Sequence, residues 1–303
     1  MLRAACIPLF LLLVSIHAGA EGEAVELKLH WEPGQTYTQE SDTDTVNFLT
    51  ALGKTSDQKL RMHQTTRITV EKNASDQTEA RVLVESLLGE MTYEGQTHVY
   101  DSKNPASSHP ILQRSFGGAA GRAFTLVYDA NDQFLDAKNA ASGAPAGSEP
   151  DLVEIASARQ LADLYRRSLE MGLPSIPVQP GDKWISEQLV VFPQAGNVEV
   201  KLNSKFDGIV EREGRRQAQI AFEGLMKSQR DKDSTGRAVG AERPVTMADN
   251  SKVNGHVFFD LERRTISLAV FSATLQLKIE GKPMPVRQQV TTRLVSMRPT
   301  GAP

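Results

Sequence analysis

The sequence has one cysteine, Cys6, and no other residue of the chain can form a thiolate or a disulfide. Arg3 precedes an apolar run at residues 7–16, and Ala18-Gly19-Ala20 supplies the small residues that a signal peptidase accepts. This pattern predicts a signal peptide at residues 1–20 and cleavage near Ala20-Glu21, with export to the periplasm or beyond the cell. Cleavage would remove Cys6, which excludes a disulfide scaffold, a thiolate metal site and a cysteine nucleophile from the exported protein.

The sequence also lacks a strong charge of one sign. It has 34 Lys and Arg against 37 Asp and Glu, a net charge of −3. Nucleic-acid-binding proteins usually carry a concentrated basic face, so we expect no nucleic-acid partner. No apolar run after residue 20 reaches the about 20 residues that a membrane-spanning helix needs. The mature chain is therefore predicted to have no transmembrane segment.

Apolar and polar residues alternate with period two along much of the chain, which is typical of antiparallel strands with one polar face. The pattern occurs at residues 25–31, 198–206, 266–279 and 286–294. The parity of the apolar residues changes near Phe271-Ser272, which predicts a β-bulge there. The predicted fold class is mainly β: a twisted or curved antiparallel sheet that forms an open or half barrel.

Two segments have helical rather than strand periodicity. Apolar residues recur every three or four positions from residue 151 to residue 171, between a capping residue at Ser148 and a stop at Gly172. This predicts one long amphipathic helix. A shorter helix is predicted from Pro110 to about Phe116, ended by Gly117 and Gly118.

The predicted long helix separates two halves with similar motifs. Pro33-Gly34 and Pro180-Gly181 are each followed by an aromatic residue, Tyr37 and Trp184. Related pairs of strands follow both motifs, and the predicted hairpins at 128–134 and 259–266 correspond as well. We therefore predict an internal duplication. The predicted segments are a signal peptide at 1–20, a first β half at 21–140, a linker and helix at 141–180, and a second β half at 181–303.

These motifs resemble a family of uncharacterised exported bacterial proteins that is known only as a domain of unknown function. The similarity lies in the two Pro-Gly-x-x-aromatic motifs and in Gly255 followed by Phe259-Asp260. The resemblance implies export and a β-rich fold. It implies no activity, cofactor or catalytic residue.

None of the candidate catalytic motifs in the sequence is complete. Ser56 and Lys59 have the Ser-x-x-Lys spacing of penicillin-recognising enzymes, but they fall at a predicted turn and the companion motifs are incomplete. The glycines of residues 117–121 lack the dinucleotide-binding order and precede a strand. The five histidines after residue 20 are too far apart in sequence to form a local zinc pair. We therefore predict no catalytic residue, no cofactor and no metal ligand.

Residues 231–242 have partial EF-hand spacing, with Asp231, Asp233, Gly236 and Glu242 at positions 1, 3, 6 and 12. Pro244 stands where the second helix of an EF-hand would begin. A charged hairpin loop is the favoured interpretation, and an isolated calcium loop is the alternative.

The sequence favours an exported, non-catalytic binding or envelope protein that holds an apolar ligand or a lipidated partner on a concave β face. The alternative is a structural or protein-interaction domain whose inner face is filled by its own side chains. A hydrolase built from distant residues is a third hypothesis. No ligand-binding residue can be named from the sequence.

Overall fold

The computed structural model describes residues 24–139, 158–192, 196–229 and 245–302. The predicted signal peptide, the loop at 231–242 and residues 151–157 of the predicted long helix lie outside these ranges. The described residues form one antiparallel sheet of thirteen strands. The strands are β1 Gln35–Asn47, β2 Gln58–Lys72, β3 Thr78–Tyr93, β4 Gln96–Asp101, β5 Ala123–Tyr128, β6 Phe134–Asn139, β7 Lys183–Phe192, β8 Gly196–Arg212, β9 Arg215–Ser228, β10 Val245–Met247, β11 Ser251–Asp260, β12 Thr265–Ile279 and β13 Lys282–Pro299.

Helices are few in the described ranges. They are α1 Pro110–Phe116 and α2 Ala158–Leu169, with two short 3-10 helices at Leu49–Leu52 and Pro105–Ser107. The prediction for α1 is confirmed at both ends, and α2 ends two residues before the predicted Met171. Neither helix is long and apolar enough to span a bilayer.

The strand order is β6-β5-β3-β2-β1-β13-β12-β11-β9-β8-β7, with β4 added to β3 and β10 added to β12. The prediction of a mainly β, antiparallel sheet is confirmed, and the sheet is not closed, because β6 and β7 end the order on opposite sides. β13 joins the two halves by pairing with both β1 and β12.

Both halves run up and down in the same succession, β1-β2-β3-β5-β6 and β7-β8-β9-β11-β12. The hairpins predicted to correspond have matching irregularities: Tyr128 pairs with Phe134 and Phe259 pairs with Ile266, each beside a register shift. Succession along the chain is the simplest order for an antiparallel sheet, so the duplication remains a hypothesis.

The sheet curls strongly. Five strand spacings separate β5 from β12, roughly 24 Å in a flat sheet at about 4.8 Å per spacing. Nevertheless Asp132, in the β5–β6 turn, lies 3.7 Å from the guanidinium of Arg264, in the β11–β12 turn. Asp132 also contacts Nδ1 of His30 at 2.8 Å. The two turns can meet only if the sheet bends round toward one face, which we call the inner face.

The two Pro-Gly turns begin β1 and β7 as predicted. Gly34 and Gly181 have φ values of +83° and +96°, a region that favours glycine. Tyr37 then lies fully buried on the inner face, and its ring meets that of Trp31 edge to face at 5.2 Å. Trp184 is partly buried and packs against the same core. Both aromatics therefore contribute to packing.

Two details of the predicted strands are wrong. Residues 25–31 alternate as predicted, with Leu27, Leu29 and Trp31 buried, but apart from one bridge between Val25 and Val178 the segment does not pair with a strand. It lies extended against the core, where a period of two also buries alternate side chains. The bulge of β12 is at Ser267 rather than near Phe271-Ser272, since Phe258 pairs with Leu268 and Phe259 with Ile266.

Candidate functional site

The inner face of the central strands carries no charged side chain between the hairpin ends. Residues that pair directly across two strands have their side chains on the same face of the sheet. Tyr37 is on the inner face, so the strand registers show which residues of β2, β12 and β13 are on that face too. The charged residues with the same parity, Lys72 and Lys282, lie at the hairpin ends. The inner-face residues are Tyr37, Gln39, Ser41, Thr43, Thr45 and Asn47 on β1; Gln58, Leu60, Met62, Gln64, Thr66, Ile68 and Val70 on β2; Ala269, Phe271, Ala273, Leu275, Leu277 and Ile279 on β12; and Met284, Val286, Gln288, Val290, Thr292, Leu294 and Met297 on β13.

The outer face of the same strands carries the charges. Asp42 contacts Nδ1 of His63 at 2.8 Å, and Asp44 accepts a hydrogen bond from Nε of Arg61 at 3.2 Å. Glu40 pairs with Arg293 across β1 and β13. Exposed ion pairs of this kind contribute little stability, about 0–1 kcal/mol each. Their importance is that they place these charges on the outer face and leave the inner face of β1, β2, β12 and β13 neutral between the hairpin ends.

Part of the inner face is covered by the chain itself. Leu27, Leu29 and Trp31 pack on it near the turns that begin β1 and end β2. Helix α2 adds Ala162 and Leu169, both buried, and residues 171–178 follow with Val178 buried. The helix contacts β5 and β6 at one edge of the sheet and β7 at the other. Helix α2 therefore lies inside the curl.

Tyr165 fixes α2 to the middle of the sheet. Its hydroxyl donates a 2.8 Å hydrogen bond to Oε1 of Gln39 on β1, and its ring meets Phe124 of β5 at 5.5 Å. Gln39 itself is only 4% exposed. Burial raises the pKa of the Tyr165 phenol well above its usual value, so the hydroxyl stays protonated and remains a donor.

The charged side chains of α2 neutralise one another. Arg166 contacts Asp163 at 2.9 Å and Glu170 at 2.6 Å, and Arg167 contacts Asp163 at 2.7 Å. The Arg166 guanidinium also lies 4.4 Å from the centroid of the Phe134 ring. Burial raises the pKa of Glu170, and the charges of Arg166 and Arg167 oppose this rise. The network stabilises the helix and brings no free charge to the inner face.

From Ser41 to the end of β1, the inner face is lined by partly exposed side chains instead of buried ones. A strip of neutral polar residues on β1 and β13, which we call the neutral strip, consists of Ser41, Thr43, Thr45, Gln288 and Thr292. All five are partly exposed. The hydroxyls of Ser41 and Thr292 lie 2.8 Å apart, and Nε2 of Gln288 donates to the Thr45 hydroxyl at 3.5 Å. The strip offers hydroxyl and amide groups without charge.

Apolar side chains border the neutral strip on both sides. On β12 they are Phe271, Leu275 and Leu277, and on β2 they are Leu60 and Met62. All five are partly exposed. Met62 also packs against the smaller core formed by Leu87, Tyr100 and Leu112, through which α1 is held. The candidate site is therefore this partly exposed, charge-free surface.

The structure places the sequence-derived candidates elsewhere. Ser56 lies in the loop before β2, where its Oγ accepts a hydrogen bond from the backbone N–H of Glu94 at 3.0 Å. The glycines of residues 117–121 precede β5, as predicted. His98 and His109 are brought together with ring centroids 3.9 Å apart, although they are distant in sequence. Within the described ranges, no three His, Cys, Asp or Glu side chains are grouped as a metal site would require.

Sequence reasoning missed the neutral strip because it followed apolar alternation alone. In β1 the acidic residues Glu40, Asp42 and Asp44 alternate with Ser41, Thr43 and Thr45. This separation of charged from neutral polar residues at period two is visible in the sequence. It could have indicated an inner face that is polar but uncharged.

No family model and no curated protein matches the chain. Among solved structures, one on lipid–protein interactions in lipovitellin is 12% identical with a TM-score of 0.46, and the match covers 90% of this chain and 26% of that one. This chain thus spans about a quarter of the matched lipovitellin chain. A Parabacteroides distasonis ATCC 8503 protein, provisionally named a lipoprotein, is 10% identical with a TM-score of 0.31, over 91% and 100% of the two chains.

A DUF1329 family protein from Desulfovibrio piger ATCC 29098 is 7% identical with a TM-score of 0.19, over 89% of this chain and 88% of that one. The comparisons do not test the Pro-Gly motifs. At these identities and TM-scores, they assign no function to this chain.

Proposed function

We propose that this protein is an exported, non-catalytic binding protein of the cell envelope that holds an apolar ligand on the inner face of its curled sheet. The observation that carries the proposal is the charge-free surface beyond Gln39. Phe271, Leu275 and Leu277 remain partly exposed there, although apolar side chains in a filled core are usually buried. Covering them with an apolar ligand would gain about 25 cal/mol for each Å² removed from water.

A structural or protein-interaction domain is the second candidate. The inner face near Tyr37 favours it, because residues 25–31 and α2 already fill that part. The two functions differ in what binds to the charge-free surface that residues 25–31 and α2 leave open. A binding protein would hold its ligand there saturably, whereas an interaction domain would bind its partner on another surface.

Two measurements test the binding function. The protein purified from its native host is extracted with organic solvent, and the extract is analysed by mass spectrometry for lipid. Saturable binding of the apolar fluorophore N-phenyl-1-naphthylamine is then measured for wild type, Leu275→Asp and Thr274→Asp. Leu275 faces inward and Thr274 faces outward on the same strand, and Thr274 is exposed.

We expect Leu275→Asp to weaken probe binding about tenfold, equivalent to about 1.4 kcal/mol, because it places a carboxylate against an apolar ligand. Thr274→Asp should bind as wild type does. Urea midpoints for both variants would show whether the loss is one of folding. The absence of both extracted lipid and saturable probe binding in wild type would favour the interaction domain.

The proposal also includes export of the protein and an internal duplication of its two β halves. Arg3, the apolar run at 7–16 and Ala18-Gly19-Ala20 support export. N-terminal sequencing of the native protein should begin at or near Glu21, whereas an intact Met1 in a cytoplasmic fraction would contradict export. The shared strand order and the matching hairpins at Tyr128 and Phe259 support the duplication.

A further inference from the structure

The neutral strip limits the kind of lipid that the inner face can hold. We propose that the ligand is an uncharged acylglycerol, whose ester groups lie over the neutral strip and whose acyl chains lie on the apolar borders. This inference rests on the proposed binding function and names the ligand class for the same surface.

The first step of the argument is charge. A fatty-acid carboxylate placed among Thr43, Val290 and Phe271 would lose water, and the neighbouring inner-face side chains supply no positive charge. The arginines nearest in the strand order, Arg61, Arg287 and Arg293, have the parity of the outer face. Arg61 and Arg293 pair there with Asp44 and Glu40. An uncharged ester avoids this desolvation cost.

The second step is hydrogen bonding. An ester offers acceptors and no donor, so it needs hydroxyl or amide N–H partners. Ser41, Thr43, Thr45 and Thr292 each have a hydroxyl hydrogen that can rotate, and Gln288 has two amide N–H groups. Ser41 already pairs with Thr292, and Gln288 already donates to Thr45. The second amide N–H of Gln288 and the hydroxyl of Thr43 can donate to ester oxygens, whereas a pure hydrocarbon would offer them no acceptor.

The third step is geometry. Three strand spacings, roughly 14 Å, separate the apolar border on β12 from that on β2, with the neutral strip between them. The middle is mostly polar, with Val290 between Gln288 and Thr292, and apolar groups lie on both sides. This arrangement matches a glycerol unit with acyl chains that diverge from it. A single-chain ligand would use only one border.

The test compares one charged ligand with two uncharged ligands. Displacement of bound N-phenyl-1-naphthylamine at pH 9 is measured with oleate, methyl oleate and dioleoylglycerol, each below its aggregation concentration. We expect methyl oleate to displace the probe at a concentration at least about tenfold lower than oleate, and dioleoylglycerol to be at least as effective as methyl oleate. Equal or better displacement by oleate would overturn the inference while leaving the binding function intact. Failure of wild type to bind the probe would instead overturn the proposed function.

Adjacent residues on opposite faces of β13 provide matched variants. Val290 faces inward beside Thr43 and Phe271, whereas Gln289 faces outward and is exposed. Val290→Lys should reverse the preference toward oleate, because an ammonium group would then face the carboxylate, and Gln289→Lys should keep the wild-type preference. If Val290→Lys fails to fold, Thr43→Lys places the same charge on the neighbouring strand. The same preference in the inward and outward variants would contradict the proposed ligand position.

Discussion

The hydrogen bond between Tyr165 and Gln39 decides whether α2 is a fixed part of the core or a movable cover. Tyr165→Phe keeps the ring contact with Phe124 but removes the donor, which leaves Oε1 of Gln39 buried without it. A buried polar group that loses its partner costs about 1–3 kcal/mol. We therefore expect Tyr165→Phe to lower the free energy of unfolding by about 2 kcal/mol.

A double-mutant cycle separates this hydrogen bond from general effects. Gln39→Leu alone leaves the Tyr165 hydroxyl without its acceptor and should cost a similar amount. The double variant replaces both polar groups with apolar ones, so it should be less destabilised than the sum of the single variants, with a coupling energy of about 1–2 kcal/mol. Urea unfolding followed by the fluorescence of Trp31 and Trp184 measures all four proteins. Additive single effects, or no loss in Tyr165→Phe together with altered probe binding, would refute the fixed helix and favour a movable one.

The remaining predictions concern pH and packing. Burial raises the folded-state pKa of Glu170 above its ordinary 4.5, so the stability it contributes is complete below pH 4.5 and falls as the pH rises through the folded pKa. Glu170→Gln should remove this decline, which urea midpoints at several pH values above 4.5 would detect, and parallel pH curves for the two proteins would contradict it. Gly255→Ala should destabilise the protein by more than about 1 kcal/mol, because the new Cβ would lie 2.4 Å from the carbonyl oxygen of Val270. Gly89→Ala is its control in the same thermal unfolding assay, since that Cβ would lie 3.5 Å from the Phe116 ring, an ordinary contact.

Local patterns predicted the elements better than their arrangement. Positive φ at Gly34 and Gly181 follows from the chemistry of Pro-Gly turns, and α1 begins and ends where its proline and glycines predict. Residues 25–31 show the limit of such patterns. An extended segment buries alternate side chains whether or not its backbone pairs with a strand, so the sequence could not show that Leu27 and Trp31 fill the core from outside the sheet.

The sequence by itself determined which residues lie on opposite faces of an uninterrupted strand such as residues 39–47 of β1, because the side-chain period of a strand is two. The separation of Asp42 and Asp44 from Thr43 and Thr45 is of this kind. The tertiary structure alone decided that β13 pairs with β1, which joins Val290 to Thr43 across almost the whole chain. It also decided that α2 enters the curl and covers Gln39. These outcomes depend on the curl of the whole sheet, a sum of contacts between residues far apart in sequence, for which no local pattern of residues gives a signal.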